Sequence, residues 1–330
     1  MGVLPQTVRL RRRLIVIIGV ALIVIIALAI NAPGRFDLGY RISLQWHIAN
    51  LPQARPLTAA DRVLVIAPHP DDELLACSET ILAARRVGAR VDVVWLTSGD
   101  GFEWDEAIVA HDPRPSPKDM LALGQQRMGE AREATALLGL KPDQQHFLGF
   151  PDGGLLRLFF KYRAKPYTSH LTRVAAVPYV EAVKRGTPYT GDQLLRQLDA
   201  LLIELKPTLA LMPAQEDRHR DHKAAYLFMA QALADCDMEK AARLYIVHGG
   251  VEWPMPKGLH RELPLAPAPR GKQLPWEVVP LSPADEQLKL DALHCYRSQT
   301  ETLGHFLRAF VRTNELISPM PETDLGSAEQ

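Results

Sequence analysis

Two short polar motifs carry the residues best suited to chemistry. The first reads His69-Pro70-Asp71-Asp72-Glu73, and the second reads Asp217-Arg218-His219-Arg220-Asp221-His222. Each motif follows a short apolar run and precedes a helix-like pattern, so each is predicted to lie where a strand ends and a helix begins. Parallel strands bring their carboxyl ends to one edge of a sheet, where ligands bind. We therefore expect the two motifs to meet at one site.

The residue types in both motifs suit a divalent metal ion and hydrolysis. Imidazole nitrogens and carboxylate oxygens are good zinc ligands, and a catalytic zinc ion commonly has three protein ligands. The motifs hold more than three such groups, so some must have other roles. A spare carboxylate can act as a general base, and a protonated imidazole can stabilise an oxyanion or protonate a leaving amine. Together these roles predict metal-assisted hydrolysis of an amide.

Each motif also has a simpler interpretation. Acidic residues favour the first turn of a helix, so the first motif alone could be a helix start with an incidental histidine. The same interpretation stays open for Asp221. Asp217 and Glu73 could also be acids that favour a helix start, or they could support neighbouring ligands. The presence of the two motifs at corresponding strand ends favours a functional site.

The overall composition argues against several other classes of function. The 330 residues are 47% hydrophobic and 23% charged, and the formal net charge of +0 lacks the basic surplus that favours nucleic-acid binding. Cys77, Cys236 and Cys295 are widely separated, so neither a disulfide framework nor a thiolate zinc site is expected. The acids of the first motif would repel the pyrophosphate of a dinucleotide, which disfavours a nucleotide-binding oxidoreductase.

The N-terminal region contains a predicted membrane anchor. Residues 14–30 lack polar side chains and follow an arginine cluster at residues 9–13. The apolar run is close to the length that spans a bilayer, and the arginines are expected to stay cytoplasmic. The remaining chain would then be extracytoplasmic, and periplasmic if the source is a bacterium. A cleaved signal peptide is the alternative, because Ala27-Leu28-Ala29 has the pattern of a cleavage site.

Beyond residue 61, short apolar runs alternate with amphipathic patterns, which predicts an α/β fold with a mostly parallel sheet flanked by helices. The predicted strands are residues 62–67, 90–96, 145–148, 208–212, 243–247 and 276–279. The predicted helices are residues 74–87, 126–138, 191–205 and 223–234, with one or two more over residues 285–316. Residues 157–190 interrupt the alternation with basic and aromatic residues. We interpret them as a loop over a pocket, a face against anionic lipid headgroups or a solvated loop.

The paired motifs resemble those of the PIG-L, or LmbE-like, family of metal-dependent N-deacetylases. The resemblance runs from about Arg62 to about Leu316 and includes three weaker segments at residues 127–130, 149–153 and 296–299. It implies a Rossmann-like α/β fold and removal of an acetyl group from N-acetylglucosaminyl substrates. The substrate would be an acetamido sugar that is part of a glycolipid, a polysaccharide or another glycoconjugate.

By this resemblance, the metal ligands would be His69, Asp72 and His222. The metal would be Zn²⁺, with Fe²⁺ as an alternative because iron suits the same ligands. Asp71 would be the general base that takes a proton from the attacking water. His219 would stabilise the oxyanion or protonate the leaving nitrogen.

Three further residues receive supporting roles from the resemblance. Asp221 would orient His219, unless it is a simple helix cap. Arg127 and Asp152 could contact sugar hydroxyls, although a surface ion pair and a structural turn are alternatives. This sequence departs from the usual motifs of the family at two places near the site. Ser78-Glu79 replaces a Gly-Gly pair that is common in the family, and Arg220 replaces a common proline. Glu79 is expected either to point to solvent or to alter the pocket wall.

We therefore divide the chain into a cytoplasmic tip and transmembrane anchor (residues 1–31), a stalk or linker (32–60), a deacetylase domain (61–318) and a disordered tail (319–330). The leading hypothesis is a membrane-anchored, zinc-dependent N-deacetylase of an acetamido sugar. Hydrolysis of another amide, such as one with a larger acyl group, and a catalytically inactive carbohydrate-binding protein are the alternatives. No oligomeric state is predicted.

Overall fold

The computed structural model describes residues 38–101, 115–250 and 253–321. The predicted anchor at residues 14–30 lies outside these ranges, as do residues 322–330 of the predicted tail. Within the described ranges, every helix is too short or too polar to cross a bilayer. The anchor therefore stays a prediction.

A seven-stranded sheet forms the centre of the fold, with the strand order β3-β2-β1-β4-β5-β7-β6. In chain order the strands are β1 (Arg62–Ala67), β2 (Arg90–Thr97), β3 (Gln145–Phe150), β4 (Leu209–Pro213), β5 (Ala242–Tyr245), β6 (Glu277–Pro280) and β7 (Asn314–Pro319). The first five strands are parallel, and β7 runs antiparallel to both β5 and β6. The predicted α/β fold with a mostly parallel sheet is confirmed.

The strand order places a topological switch point between β1 and β4. From β1 the chain builds outward through β2 and β3, and it then returns to the other side of β1 to form β4. Connections on the two sides of such a point diverge, which leaves a crevice at the carboxyl ends of the strands. Both polar motifs follow these two strands, so the fold opens a crevice where the motifs meet.

The described helices are α1 (Leu38–Ala49), α2 (Asp72–Arg86), α3 (Pro117–Leu137), α4 (Leu155–Phe160), α5 (Gly191–Leu205), α6 (Arg220–Asp235), α7 (Pro283–Leu293) and α8 (Arg297–Arg308). Helix α5 has the predicted bounds because both ends carry clear signals. The Thr190 side chain accepts a hydrogen bond from the N–H of Gln193 at 3.2 Å, which caps the first turn. Lys206 ends the helix in the left-handed conformation, with φ of 46°, directly before Pro207.

Strand β7 corrects the prediction for the C-terminal region. Residues 285–316 were predicted to form only helices, whereas the chain forms α7 and α8 and then enters β7 at Asn314. Leu316 and Ile317 are buried, with 5% and 4% exposed. A short apolar run fits a strand or a buried helix equally well from its own sequence. Pairing with β5 and β6 on its two sides decides in favour of the strand.

Part of the predicted linker packs on the domain. Leu44 and Ile48 of α1 are buried in the main core. The N–H of Ala54 donates to the Val278 carbonyl at 2.9 Å, and the N–H of Val278 donates to the Pro52 carbonyl at 2.8 Å. Residues 44–54 therefore cover the edge of β6, an edge that would otherwise be open to pairing with another chain.

Candidate active site

The predicted convergence of the two motifs is confirmed. The first motif follows β1 and opens α2, and the second follows β4 and opens α6. Because β1 and β4 are neighbours, Nε2 of His222 lies 3.2 Å from Oδ2 of Asp72, although the two residues are 150 positions apart. The same Asp72 oxygen lies 3.3 Å from Nδ1 of His69. Two of the side chains predicted as metal ligands, His69 and His222, thus flank one buried oxygen of the third, Asp72.

The donor set at this point fits a divalent cation. His222 is fully buried, and neither of its ring nitrogens makes a hydrogen bond of acceptable geometry. Burial disfavours the charged form of His222, but Asp217 and Asp72 outweigh burial and raise its pKa to about 10. Burial would raise the pKa of Asp72, whereas His222 and His69 hold it well below its usual range. A buried imidazole and an ionised carboxylate that face each other without a hydrogen bond of good geometry offer donor atoms that a metal ion, in place of the imidazole proton, would satisfy.

Asp217 supports the second motif rather than acting only at the helix start. Its Oδ1 accepts the N–H of His219 at 2.8 Å, and its Oδ2 accepts the N–H groups of Val247 and His248 at 3.0 and 2.9 Å. Oδ2 also lies 3.1 Å from Nδ1 of His222. A carboxylate behind the far nitrogen of an imidazole orients the ring and makes its other nitrogen a better ligand.

His219 is held as a neutral hydrogen-bond donor. Its Nδ1 accepts the backbone N–H of Asp221 at 3.2 Å, so the proton of the neutral ring belongs on Nε2. Burial, together with the nearby rings of His69 and His222, lowers its pKa to about 3. The ring is half-buried. An Nε2–H group in this position can donate to a carbonyl oxygen in the crevice.

The carboxylate of Asp221 connects the second motif to the turn after β3. Its oxygens accept the N–H of Gly153 at 2.6 Å and the N–H of Leu155 at 3.2 Å. The contact of Asp221 with His219 is made by its backbone N–H instead. The same carboxylate lies 3.5 Å from Nε2 of His69. Asp221 therefore joins three strand ends at the site.

Asp152 lies beside His69 at the site, and its predicted contact with substrate stays a prediction. Its Oδ1 is 3.2 Å from Nε2 of His69, and its Oδ2 accepts the N–H of Gly101 at 3.1 Å. The neighbouring Asp100 accepts the N–H of Asp152 at 3.2 Å and the hydroxyl of Tyr179 at 2.6 Å. Tyr179 belongs to residues 157–190, so this segment packs against the support of Asp152.

Arg127 lies beneath the first motif. The residue is 3% exposed, and its guanidinium donates to two backbone carbonyls, from Nη1 to Gly99 at 3.0 Å and from Nη2 to Pro70 at 2.8 Å. Nη2 is also 3.8 Å from a carboxylate oxygen of Asp71. The sugar contact predicted for Arg127 stays a prediction, because these bonds hold the guanidinium against the protein backbone.

Asp71 precedes α2 in the crevice, beside Asp72. Burial raises its pKa well above the usual range, and the charge of Asp72 adds to that effect. A raised pKa makes a carboxylate a stronger proton acceptor, which suits a general base. Asp71 makes no side-chain cap to the helix, so its carboxylate is not committed to the helix start.

His248 is a site residue that the sequence interpretation missed. It follows β5, and its ring centroid lies 4.7 Å from that of His222 and 5.1 Å from that of His219. Metal-binding atoms of Asp72, His222 and His248 all lie within 4.8 Å of one another. The signal was available in the sequence, because a histidine directly after a predicted strand on the same sheet reaches the same edge.

The position of Glu79 excludes one of the two alternatives given for it. Its side chain is only 2% exposed, so it does not point to solvent. Its carboxylate pairs with Arg86, and its N–H donates to Oε2 of Glu315 at 2.9 Å. Helix α2 packs against β7 at this position, which accounts for the burial of Glu79.

The fold and the side-chain cluster define an α/β protein with a candidate metal centre at the switch point of its sheet. A family model described as "PIG-L: GlcNAc-PI de-N-acetylase" matches residues 64–233, slightly more than half of the chain. That range contains both motifs. The chain belongs to the PIG-L family.

Two relatives from Saccharopolyspora erythraea are 1D-myo-inositol 2-acetamido-2-deoxy-alpha-D-glucopyranoside deacetylases. Deacetylase 2 is 27% identical over 205 residues, which cover 61% of this chain and 65% of the relative. Deacetylase 1 is 31% identical over 179 residues, which cover 52% of each chain. The chain thus spans between about half and two thirds of the length of these relatives. Deacetylases of this kind are hydrolases that act on amides.

A solved structure of the same fold is that of the A40926 pseudoaglycone deacetylase Dbv21. It is 18% identical to this chain, with a TM-score of 0.51, and the superposition covers 78% of this chain and 96% of Dbv21. At this identity the likeness shows the fold alone.

Proposed function

We propose that this protein is a metal-dependent hydrolase that removes an acetyl group from an N-acetylglucosamine-type amide of a glycolipid, glycan or glycoconjugate. One observation carries the proposal: the carboxylate of Asp72 lies 3.3 Å from a nitrogen of His69 and 3.2 Å from a nitrogen of His222, in a chain of the PIG-L family. The acetamido-sugar deacetylases among its relatives support the substrate class.

His69, Asp72 and His222 would hold the metal ion, with Zn²⁺ as the leading candidate and Fe²⁺ as the alternative. When bound, the ion supplies Lewis-acid polarisation of the substrate carbonyl and lowers the pKa of the attacking water. Asp217 would keep the ring of His222 in its binding orientation through the contact at 3.1 Å.

Asp71 would take a proton from the attacking water as the oxygen of that water bonds to the carbonyl carbon. His219 would donate from Nε2 to the carbonyl oxygen as negative charge develops there. The bond from carbon to nitrogen then breaks, and the leaving nitrogen takes the proton that Asp71 carries. The products are acetate and a free amino sugar.

The proposed location is the outer face of a membrane. An apolar run at residues 14–30 behind an arginine cluster supports an anchor with its N-terminus in the cytoplasm and the catalytic domain outside it. The competing proposal is a cleaved signal peptide. The mass of the mature protein in the membrane fraction distinguishes them, because loss of roughly the first thirty residues would reject the anchor.

The activity can be tested with the full-length chain and an N-acetylglucosamine disaccharide as probe. We expect release of acetate that a chelator abolishes and that added zinc restores. The Asp71→Asn variant should lose about 100- to 10,000-fold in turnover and keep its bound metal. The Asp237→Asn variant is the matched control, because Asp237 is also an aspartate with positive φ, of 55°, but lies exposed on the surface.

Three outcomes would change the proposal. Full turnover by the Asp71→Asn variant would reject Asp71 as the base. Hydrolysis of an amide with a larger acyl group, in the absence of acetate release, would support the alternative substrate. Tight binding of the sugar without any hydrolysis would indicate a carbohydrate-binding protein.

A further inference from the structure

The peptide bond between Pro70 and Asp71 is held on both edges. Its carbonyl oxygen, which belongs to Pro70, accepts a hydrogen bond from Nη2 of Arg127 at 2.8 Å. Its N–H group, which belongs to Asp71, donates to Oε2 of Glu73 at 3.2 Å. Since a peptide unit is planar, two hydrogen bonds at its opposite edges fix the orientation of the whole unit.

This orientation forces Asp71 into a strained conformation. Its φ is 125° and its ψ is −31°, outside the regions that residues with a Cβ atom favour. The following peptide is fixed independently, because the Asp71 carbonyl accepts the N–H groups of Leu74 and Leu75 at 3.0 and 2.9 Å. The orientation of the Pro70–Asp71 peptide therefore sets the φ angle of Asp71. A strained residue of this kind persists only where its surroundings hold it.

The two residues that hold this peptide are themselves anchored in the interior. Glu73 is fully buried and accepts hydrogen bonds from Nε1 of Trp95, at 2.8 Å, and from the hydroxyl of Tyr296. Arg127 is anchored through its second nitrogen, which donates to the Gly99 carbonyl at 3.0 Å. These contacts come from β2, from the turn after β2 and from the junction of α7 and α8, so distant parts of the chain converge on one peptide.

We propose that Glu73 and Arg127 are positioning residues that hold the carboxylate of Asp71 in the crevice by fixing the Pro70–Asp71 peptide. The proposal rests on the proposed function, in which Asp71 is the general base. Loss of either residue lets Asp71 relax toward an ordinary helix-start conformation, which turns its carboxylate away. The metal ligands are held separately, because Oδ2 of Asp72 accepts the N–H of His69 at 2.9 Å.

Kinetics of the full-length, zinc-loaded protein provide the first test. We expect Glu73→Ala and Arg127→Ala each to lower kcat about 10- to 100-fold while KM and bound zinc stay nearly unchanged. Glu73→Gln should recover most of kcat, because its amide oxygen can still accept the N–H of Asp71. If Arg127→Ala raised KM and left kcat intact, Arg127 would be a substrate contact and the proposal would fall.

Glu130 supplies the matched control. It is a buried acid on α3, and it accepts the N–H and hydroxyl of Ser298 at 3.0 and 2.6 Å, in the same junction that contains Tyr296. It does not bond to the Pro70–Asp71 peptide. Glu130→Ala should lower the melting temperature and leave kcat within about two-fold. An equal loss of kcat in Glu130→Ala and Glu73→Ala would show a general packing effect and overturn the proposal.

A stability cycle tests the strain without any substrate. Asp71→Gly and Asp71→Ala both remove the carboxylate, but only glycine adopts a φ of 125° without cost. We expect the glycine variant to melt several degrees above the alanine variant. In a Glu73→Ala background this difference should shrink, because residue 71 is then free to relax. If the difference in melting temperature is unchanged in the Glu73→Ala background, Glu73 does not hold Asp71 in this conformation, whether or not the protein is an active deacetylase. Because the cycle uses no substrate, its result also remains valid if the proposed deacetylation is disproved.

Discussion

The hydroxyl of Tyr296 donates a hydrogen bond to the carboxylate of Glu73 across 223 positions of sequence. Both side chains are completely buried. Tyr296 belongs to the junction between α7 and α8, whereas Glu73 lies in the first turn of α2, beside Asp72. The C-terminal part of the chain therefore closes the underside of the candidate active site.

Tyr296→Phe removes this donor and leaves one oxygen of a buried carboxylate unpaired. We expect the free energy of unfolding to fall by about 1–3 kcal/mol, the cost of an unsatisfied buried polar group. Urea unfolding followed by circular dichroism measures the change. Tyr162→Phe is the control, because Tyr162 is only half-buried. An equally small effect of the two substitutions would contradict the importance of the contact.

Asp217→Asn should weaken metal binding more than it weakens the fold. The carboxylate lies 3.1 Å from Nδ1 of His222, and a carboxylate behind a ligating imidazole typically contributes about 10- to 100-fold in metal affinity. Competition with a chromogenic chelator measures the zinc affinity of the purified protein. Asp192→Asn, at a surface ion pair with Arg163, is the control and should bind zinc like the unchanged protein. Normal zinc affinity in Asp217→Asn would argue against His222 as a ligand.

Glu79 predicts a stability that falls as the pH rises. Burial raises its pKa from 4.5 to about 7, although the ion pair with Arg86 opposes the shift. Between these two values the unfolded chain has lost a proton that the folded chain still holds, so the free energy of unfolding declines from about pH 4.5 to about pH 7. Glu79→Gln removes the titrating group. The free energy of unfolding of this variant, relative to that of the unchanged protein, should be greater at pH 8 than at pH 4. If the difference between the two proteins did not change with pH, Glu79 would not be a buried acid with a raised pKa.

Residues 38–54 should contribute to stability despite their place before the first strand. Leu44 and Ile48 are buried, and residues 52 and 54 bond to Val278. A chain that begins at residue 55 should lose on the order of 3 kcal/mol relative to one that begins at residue 38. Parallel urea titrations of the two chains measure the loss. Coincident unfolding curves would show that this segment only rests on the surface.

The fold class and the central pair of motifs could be predicted because their signals are local. β1 is a continuous apolar run, and α5 has leucines at helical spacing between a threonine cap and Pro207. The C-terminal strand could not be recognised, because residues 314–319 match the pattern of a strand and of a buried helix equally well. Only the open edges of β5 and β6 decide its conformation.

The amino-acid sequence by itself determined which chemical groups this protein brings to the sheet edge: two motifs of histidines and aspartates at neighbouring strand ends. That much follows from residue types and from the geometry of parallel strands. The tertiary structure alone decided how the surrounding residues serve that site. It turned Arg127 onto the Pro70 carbonyl and brought Tyr296 to Glu73. Such contacts depend on the packing of elements far apart in the chain, so the local sequence around each residue does not predict them.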